Sequence, residues 1–195
     1  MSQADIDSFI DSARDGTLTP HDVSTAVARG IPMNARHSDK NGVTALHYVV
    51  DRKRHDLVVA LLAVGADANV KSGYGYTLMW MAAANINADI LQLLTEGGGN
   101  VNETNIDGET PLIALVKYNY YDVAARLQVL LMCPELVLDA EYYGKTTERW
   151  AVSMGHFKLA SAIAEERVAR KRWGNLRSAW IGATVAPDLL QLPTV

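Results

Sequence analysis

The sequence contains a single cysteine, Cys133, and this scarcity excludes two kinds of stabilising element. A lone cysteine forms no disulfide within the chain and completes no thiolate zinc site. Its neighbours in LQVLLMCPEL are apolar, which predicts a small buried side chain and favours a reducing compartment. We therefore expect a cytoplasmic or nuclear protein whose fold uses neither a disulfide nor a metal ion.

Long hydrophobic runs and a large excess of one charge are missing as well. No stretch approaches the roughly 20 apolar residues of a membrane-spanning helix, and the acidic start MSQADIDSFIDSARDG lacks the basic and apolar regions of a secretory signal. The formal net charge of -4 gives no overall attraction to nucleic acid or anionic membranes. Because 49% of the 195 residues are hydrophobic, the chain has enough apolar side chains to bury a core.

A short Gly-x-Thr motif divides the chain into repeats. The motif recurs at intervals of 33, 33 and 36 residues, with its glycine at Gly42, Gly75, Gly108 and Gly144. A second motif has the same period, because GADAN and the related GGNVN begin 33 residues apart, at Gly65 and Gly98. Two motifs in one register predict a stack of similar units, each of which buries its apolar face against its neighbours.

The repeated residues also predict where helices begin and end. A threonine hydroxyl can accept a hydrogen bond from a free N–H group of a first helical turn, and each motif supplies such a threonine. Pro111 follows one of them at the first helical position, where its missing N–H has no cost. Gly65 and Gly98 are predicted to end helices in the left-handed conformation. The four threonines are Thr44, Thr77, Thr110 and Thr146.

The stretch DKNGVTALHYVV followed by DLVVALLAVGADANV resembles the ankyrin repeat pattern of D-x-x-G-x-T-P-L-H, two helices and L-L-x-x-G-A-x-x-N. The resemblance covers about residues 38–164, and residues 4–37 more loosely. It implies an all-α ankyrin-repeat solenoid of about five helix-turn-helix repeats, with short β-hairpin tips and a C-terminal helical extension. The implied units are a degenerate N-terminal capping repeat (4–37), repeat one (38–72), repeat two (73–105), repeat three with a three-residue insertion (106–141), terminal repeat four (142–172), and a C-terminal helix and tail (173–195).

No motif for catalysis or for binding a cofactor or metal is present beside the repeats. The five histidines share no metal-ligand spacing, and His47 in TALH resembles a structural histidine of the family that ties hairpin turns by hydrogen bonds. EGGGN lacks the G-K-[ST] of a phosphate loop, and GYGY lacks the glycine fingerprint of dinucleotide folds. We predict a non-enzymatic protein without a cofactor.

Tyrosines cluster on the predicted tips and inner-helix ends of repeats two to four. The resemblance implies that these elements line one concave face, where tyrosine offers a large and rigid contact area. The alternative is that tips are exposed by default and that tyrosine is only tolerated there. The predicted partner-binding face consists of Lys40, Asn41, Val43, Arg52, Tyr74, Tyr76, Asn85, Asp107, Glu109, Lys117, Tyr118, Tyr120, Tyr121, Tyr142, Tyr143 and Lys145.

The C-terminal segment that begins RVARKRW does not match the repeat pattern. Trp173, Leu176, Trp180 and Ile181 follow a helical stripe, which predicts either a capping helix packed on repeat four or a helix that binds a partner. The segment also carries a basic patch with no acid between its members, which are Arg167, Arg170, Lys171, Arg172 and Arg177.

The resemblance implies a protein–protein interaction module or adaptor that binds a protein partner through its concave face. We expect a monomer that contacts neither a membrane nor nucleic acid. Two alternatives stay open. The basic C-terminal helix is able to bind nucleic acid or an acidic partner, or the chain is a subunit of an obligate complex docked through its tail.

Overall fold

The computed structural model describes residues 2–38, 41–85, 88–118 and 123–183, with side chains for all of these except Asn85 and residues 174–183. Ten helices lie within these ranges, and they follow one another as five pairs. The pairs are α1 (Gln3–Asp15) and α2 (Pro20–Ala28), α3 (Ala45–Asp51) and α4 (His55–Ala63), α5 (Leu78–Asn85) and α6 (Ala88–Glu96), α7 (Pro111–Lys117) and α8 (Val123–Leu131), and α9 (Thr147–Ser153) and α10 (Phe157–Ala183).

The helices pack in two rows. The first helices of the pairs form one row, in which α3 lies between α1 and α5, and α7 lies between α5 and α9. The second helices form another row, in which α4 contacts α2 and α6, and α6 contacts α8. We call the first row the inner helices and the second row the outer helices. A stack in which each pair packs on the pairs before and after it is a solenoid, so the predicted all-α fold of five repeats is confirmed.

Three of the four predicted threonine caps are present at the start of the inner helices, whereas the hydroxyl of Thr44 makes no such hydrogen bond and lies 2.9 Å from Nδ1 of His47. The hydroxyl groups of Thr77, Thr110 and Thr146 each accept a hydrogen bond from the backbone N–H three residues later. Pro111 is the first residue of α7, as predicted. The centre of the core is this helix, because residues 112–116 are all fully buried between the neighbouring inner helices.

The tips of the repeats are tight turns. Two strands are present within the described residues, β1 (Glu141–Tyr142) and β2 (Lys145–Thr146), which pair antiparallel in repeat four. In the three preceding tips a backbone hydrogen bond closes the turn, from the N–H groups of His37, Ser72 and Asn105 to the carbonyl groups of Val43, Tyr76 and Glu109, respectively. The predicted hairpin tips are therefore paired strands in repeat four and shorter closed turns in repeats one to three.

Asparagine amides join the loops that follow successive outer helices. Asn69 accepts a hydrogen bond from the N–H of Asn100 at 2.7 Å and donates one to the carbonyl of Gly98 at 2.9 Å. Asn34 and Asn102 make the equivalent two hydrogen bonds with the repeats that follow them. We call Asn34, Asn69 and Asn102 the asparagine ladder. The ladder has one direction, because each amide reaches into the next repeat.

The last helix differs from the prediction. The 27 residues of α10 run without a break from Phe157 to Ala183, so the boundary predicted at residue 172 lies within one helix about 40 Å long. Trp173, within this continuous helix, is 71% exposed. The prediction of a separate capping helix with Trp173 buried on repeat four is therefore wrong. The side chains of Leu176, Trp180 and Ile181 lie outside the described residues.

Candidate partner-binding face

The tips and inner helices of repeats one to three enclose a cleft of about 540 Å³. Tyr76 stacks on Trp80, with ring centroids 5.1 Å apart and an interplanar angle of 26°. Trp80 also meets Tyr118 edge to face at 5.7 Å, and Tyr74 lies 6.4 Å from Tyr76. These four rings lie in one continuous row, and we call the space that they line the aromatic cleft. Offset and edge-to-face pairs of this kind hold aromatic rings in fixed relative positions.

Helical spacing explains why the inner helices contribute to the cleft. Tyr48 and Asp51 stand three residues apart on α3, and Met81 and Ala84 stand three residues apart on α5. Side chains with this spacing project from the same side of a helix, so that both pairs line the cleft. Tyr48 is half-buried there.

The tip that carries the exposed tyrosines is held close to the next repeat. Gly75, between Tyr74 and Tyr76, has φ +73° and accepts a hydrogen bond from the N–H of Ile106 at 3.1 Å. A Cβ atom at this position would lie 2.5 Å from the Cβ of Ile106. Only glycine fits this backbone conformation and this close approach without strain, so the glycine fixes where the two tyrosines stand.

Glu109 lies beneath the face and does not belong to its surface. It is 2% exposed, and one carboxylate oxygen accepts hydrogen bonds from Nε1 of Trp80 at 2.9 Å and from the amide of Asn105 at 3.1 Å. The other oxygen forms an ion pair with Lys117. The prediction that Glu109 contacts a partner is therefore wrong, because both of its oxygens are engaged within the protein. Its role is to position Trp80 and Lys117.

Lys117 is the centre of a second group of rings, which joins repeats three and four. Its Nζ lies 4.7 Å from the ring centroid of Tyr142 and 5.7 Å from that of Trp150, while Nζ of Lys145 lies 4.8 Å from Trp150. Tyr143 packs edge to face on Tyr142 at 4.5 Å. These five residues form what we call the lysine–aromatic cluster, in which cations over ring faces add attraction. Burial lowers the pKa of Lys117, yet the hydrogen bond and the charge of Glu109 raise it, with a net upward shift.

Tyr143 has an unfavourable backbone conformation. Its φ is +49°, followed by +67° at Gly144, and its side chain is 81% exposed. Two successive residues with positive φ are typical of a type I′ turn, for which Asn-Gly is the preferred sequence. Repeat one has that sequence at Asn41 and Gly42, where φ is +49° and +64°. A bulky residue in the left-handed region is strained, so tyrosine occurs here against the local preference.

Replacing this tyrosine by asparagine is expected to stabilise the protein. Tyr143→Asn should raise the free energy of unfolding by about 0.5–1 kcal/mol, because asparagine adopts the left-handed conformation more readily. Urea denaturation followed by circular dichroism measures the change. Tyr74→Asn is the matched control, since Tyr74 is also exposed on a tip but has no positive φ. This variant should show no increase in the free energy of unfolding. A Tyr143→Asn variant less stable than the wild type would contradict the strain.

The other predicted partner-binding residues are distributed along the tips. Val43 and Tyr118 line the aromatic cleft, and Asn41 and Asp107 are exposed on their turns. The guanidinium of Arg52 lies against Gly16, at the end of α1. Four predicted positions lie outside the described residues or side chains, namely Lys40, Asn85, Tyr120 and Tyr121.

Four residues that line these two groups of rings were not among the predicted residues, namely Trp80, Trp150, Tyr48 and Asp51. A positional signal exists for three of them. Tyr48 and Asp51 stand four and seven residues after Thr44, and Trp150 likewise stands four residues after Thr146. Trp80, three residues after its threonine, shows no such signal, because its place in the site depends on the distant Glu109.

Two arginines of the basic patch form ion pairs and hydrogen bonds within the protein. Arg170 pairs with Glu166 at 2.8 Å and donates hydrogen bonds to four carbonyl groups, those of Leu131, Cys133, Pro134 and Leu136. Arg167 pairs with Glu148 at 2.7 Å and with Asp139 at 3.2 Å. The prediction of five available positive charges is therefore wrong for these two. Lys171 and Arg172 are exposed, and the side chain of Arg177 lies outside the described residues.

Cys133 is buried, and burial is the main reason why the pKa of its thiol is raised. This location agrees with the packing role that its apolar neighbours predicted. Across residues 2–38, 41–85, 88–118 and 123–183, no group of three or more histidine, cysteine, aspartate or glutamate side chains could hold a metal ion. The helices of the same ranges include none with the length and apolar character needed to cross a bilayer.

Comparison with known proteins identifies the repeats. A family model described as "Ankyrin repeats (many copies)" matches residues 27–82, and one described as "Ankyrin repeats (3 copies)" matches residues 78–171. The Neurogenic locus Notch protein of Drosophila melanogaster is 34% identical over 116 residues, which are 59% of this chain and 4% of that protein. A putative ankyrin repeat protein of fowlpox virus is 36% identical over 59 residues, or 30% of this chain and 22% of that protein.

A longer match is the Neurogenic locus notch homolog protein 2 of Homo sapiens, which is 27% identical over 154 residues, 78% of this chain and 6% of that protein. The chain thus spans less than a quarter of the length of each of these three relatives. The two family models overlap and together extend from residue 27 to residue 171, through all four repeats with a Gly-x-Thr tip. The chain belongs to the ankyrin repeat family, whose members are generally protein–protein interaction modules.

Proposed function

We propose that this chain is a non-enzymatic interaction module that binds a protein partner through the face formed by its tips and inner helices. The observation that supports this function is the row of partly exposed aromatic side chains on that face. Tyr74 and Tyr76 are 56% and 38% exposed in the aromatic cleft, and Tyr143 projects from the lysine–aromatic cluster. Tyrosine combines a large apolar area with a hydroxyl group, which suits the centre of a protein interface.

The rings are also held in place before any partner arrives. Tyr76 is stacked on Trp80, and Trp80 is fixed by the hydrogen bond from its Nε1 to Glu109. Trp150 likewise donates a hydrogen bond to the carbonyl of Tyr142 at 2.8 Å. Side chains that are already ordered lose little conformational entropy on binding. Both groups of rings are therefore suited to bind a partner with a small entropic cost.

A triple variant tests the proposal. A partner captured by the wild-type chain from cell extract and identified by mass spectrometry is purified, and its affinity is measured by isothermal titration calorimetry. Replacing Tyr74, Tyr76 and Tyr143 with alanine is expected to weaken binding by roughly 2 kcal/mol or more, about 30-fold, because aromatic residues at interface centres contribute effects of this size. The free energy of unfolding should change by less than about 1 kcal/mol, since Tyr74 and Tyr143 are more than half exposed and Tyr76 is partly exposed.

The matched control removes exposed apolar groups from the outer helices and from the residue that follows α4. Val27, Val59 and Val64 are each about 40% exposed, at 43%, 42% and 39%, and their replacement with alanine should leave the affinity unchanged. If the tyrosine variant and the valine variant bind the partner equally well, the tip-and-inner-helix face is not the binding surface.

A further inference from the structure

We infer that the aromatic cleft receives a positively charged side chain, lysine or arginine, of the protein partner. The inference rests on the proposed function and specifies what that face recognises. Three features of the cleft support it, namely its row of ring faces, its volume, and the sign of its charge.

The rings of the cleft provide the attraction. A cation within about 6 Å of a ring centroid is attracted to the negative face of the ring, most strongly for tryptophan. The four rings line one cleft with neighbouring centroids 5.1 to 6.4 Å apart, so that a cation over one open face also lies near a second ring. The carboxylate of Glu109 accepts a hydrogen bond from the indole N–H of Trp80. This hydrogen bond shifts electron density toward the indole ring and strengthens the attraction between the ring and a cation.

The volume of the cleft fits a long side chain. At about 540 Å³ it falls within the range of roughly 300–1,000 Å³ that is typical of ligand pockets. The apolar stem of a lysine or arginine side chain can pack along Met81 and Ala84 while its charged end meets the rings.

The charge of the cleft has the complementary sign. Among the described residues that line it, Asp51 is the one that carries a formal charge at neutral pH, since the other titratable groups there are tyrosines and His47, whose pKa is lowered mainly by burial to about 4. The bases nearby are engaged within the protein. Lys117 is bound to Glu109, with its Nζ 5.6 Å from the ring centroid of Tyr118. Arg36, whose charge acts on His47, donates hydrogen bonds at 2.7 Å to the carbonyl groups of Gly42 and Lys71. The carboxylate of Asp51 is the charge that lines the cleft itself, and its sign favours a positive ligand.

Titration with choline and with its neutral isostere 3,3-dimethylbutan-1-ol separates charge from shape. We follow the indole N–H signal of Trp80 by two-dimensional NMR of the full chain. Choline is expected to shift this signal with millimolar affinity, and the alcohol to bind at least about tenfold more weakly, because only choline is attracted by the ring faces and by Asp51. Equal binding of the two compounds would overturn the inference.

A second titration identifies the source of the cation. A blocked Gly-Lys-Gly tripeptide is expected to shift the same signal, while the tripeptide with norleucine in place of lysine, which keeps the length but loses the charge, should not. A shift with choline and none with the lysine peptide would overturn the assignment to a protein side chain.

Two variants localise the binding. Asp51→Asn should weaken choline, the lysine peptide and the partner itself by about 3- to 10-fold, by removing the negative charge of the cleft. Trp173→Ala is the control, because it removes an exposed ring on α10, away from the tip-and-inner-helix face, and it should leave choline binding unchanged. If the triple tyrosine variant loses the partner while choline and Asp51→Asn have no effect, the interaction face remains and this inference fails. If the triple variant keeps the partner, the proposed function fails.

Discussion

Replacing Arg126 with alanine is expected to lower the free energy of unfolding by about 3–4 kcal/mol. Arg126 lies on α8 with an exposed fraction of 0%, and its Nη1 donates a hydrogen bond at 2.6 Å to the carbonyl of Ala83, in the last turn of α5. Carbonyl groups at the end of a helix have no partner within the helix. The variant therefore leaves a cavity and also a buried acceptor without this donor, and both effects destabilise the fold.

Two further variants separate these causes, and urea denaturation measures all of them. Arg126→Met refills most of the volume without supplying the donor, so its stability should lie between those of the wild type and Arg126→Ala. Arg149→Ala removes an arginine that is exposed on α9 and should change stability by less than about 0.5 kcal/mol. If Arg126→Ala is as stable as Arg149→Ala, the buried arginine does not hold the repeats together.

Acidification is expected to destabilise the protein through His47 by up to about 3 kcal/mol. This residue is buried, and its Nδ1 accepts a hydrogen bond from the N–H of Thr44 at 3.3 Å. Burial, assisted by the charge of Arg36, lowers the pKa of His47 from 6.5 to about 4, although the carbonyl groups of Tyr76 and Val70 act in the opposite direction. Nε2 is buried without a hydrogen bond of standard geometry, and the carbonyl groups that act on the pKa, those of Tyr76 and Val70, flank the tip of the next repeat.

The sign of the effect follows from the two pKa values. Between pH 6.5 and about 4, the unfolded chain carries the proton and the folded chain does not, so stability decreases as the pH falls through this window. A difference of one between the pKa of the folded and the unfolded chain corresponds to about 1.4 kcal/mol. The pKa of Asp7, which hydrogen bonds from Ser38 lower to about 2, affects stability only below its usual value of 3.8. The difference in the free energy of unfolding between pH 7 and pH 4.5 therefore reports mainly on the protonation of His47.

His47→Asn provides the comparison. The asparagine oxygen can replace Nδ1 as the acceptor for the N–H of Thr44 but does not titrate. We expect urea denaturation to show a smaller loss of stability between pH 7 and pH 4.5 for this variant than for the wild type. An equal loss in both proteins would mean that the histidine is not responsible.

The fold was predictable because its signals are local. A threonine hydroxyl at Thr110, a proline at Pro111 and a left-handed glycine at Gly98 each satisfy a backbone requirement within one turn of the chain. Repetition at a fixed period then specifies the stack, since every unit needs a neighbour to cover its apolar face. Helix starts and a stack of similar units follow from these features, and the resemblance to the ankyrin pattern implied that the units are pairs of helices.

The candidate site was less predictable because its contacts join distant parts of the chain. Glu109 and Arg170 are charged and would ordinarily be exposed. Their partners Trp80 and Leu131 stand 29 and 39 residues away, and no periodic pattern reports such pairs. The end of α10 was missed for another reason. The segment RVARKRW lacks a helix-breaking residue, so nothing in it ends the helix where the repeat pattern stops.

The single direction of the asparagine ladder makes the stack modular. Asn69 presents to residues 73–105 the same two hydrogen bonds that Asn102, at the end of that segment, presents to the following repeat. If a second copy of residues 73–105 were inserted in tandem, Asn102 of the first copy would make the same two hydrogen bonds with the second copy that Asn69 makes with the first. The binding face can thus be lengthened by duplication in steps of 33 residues, each of which adds another pair of tip tyrosines and another tryptophan.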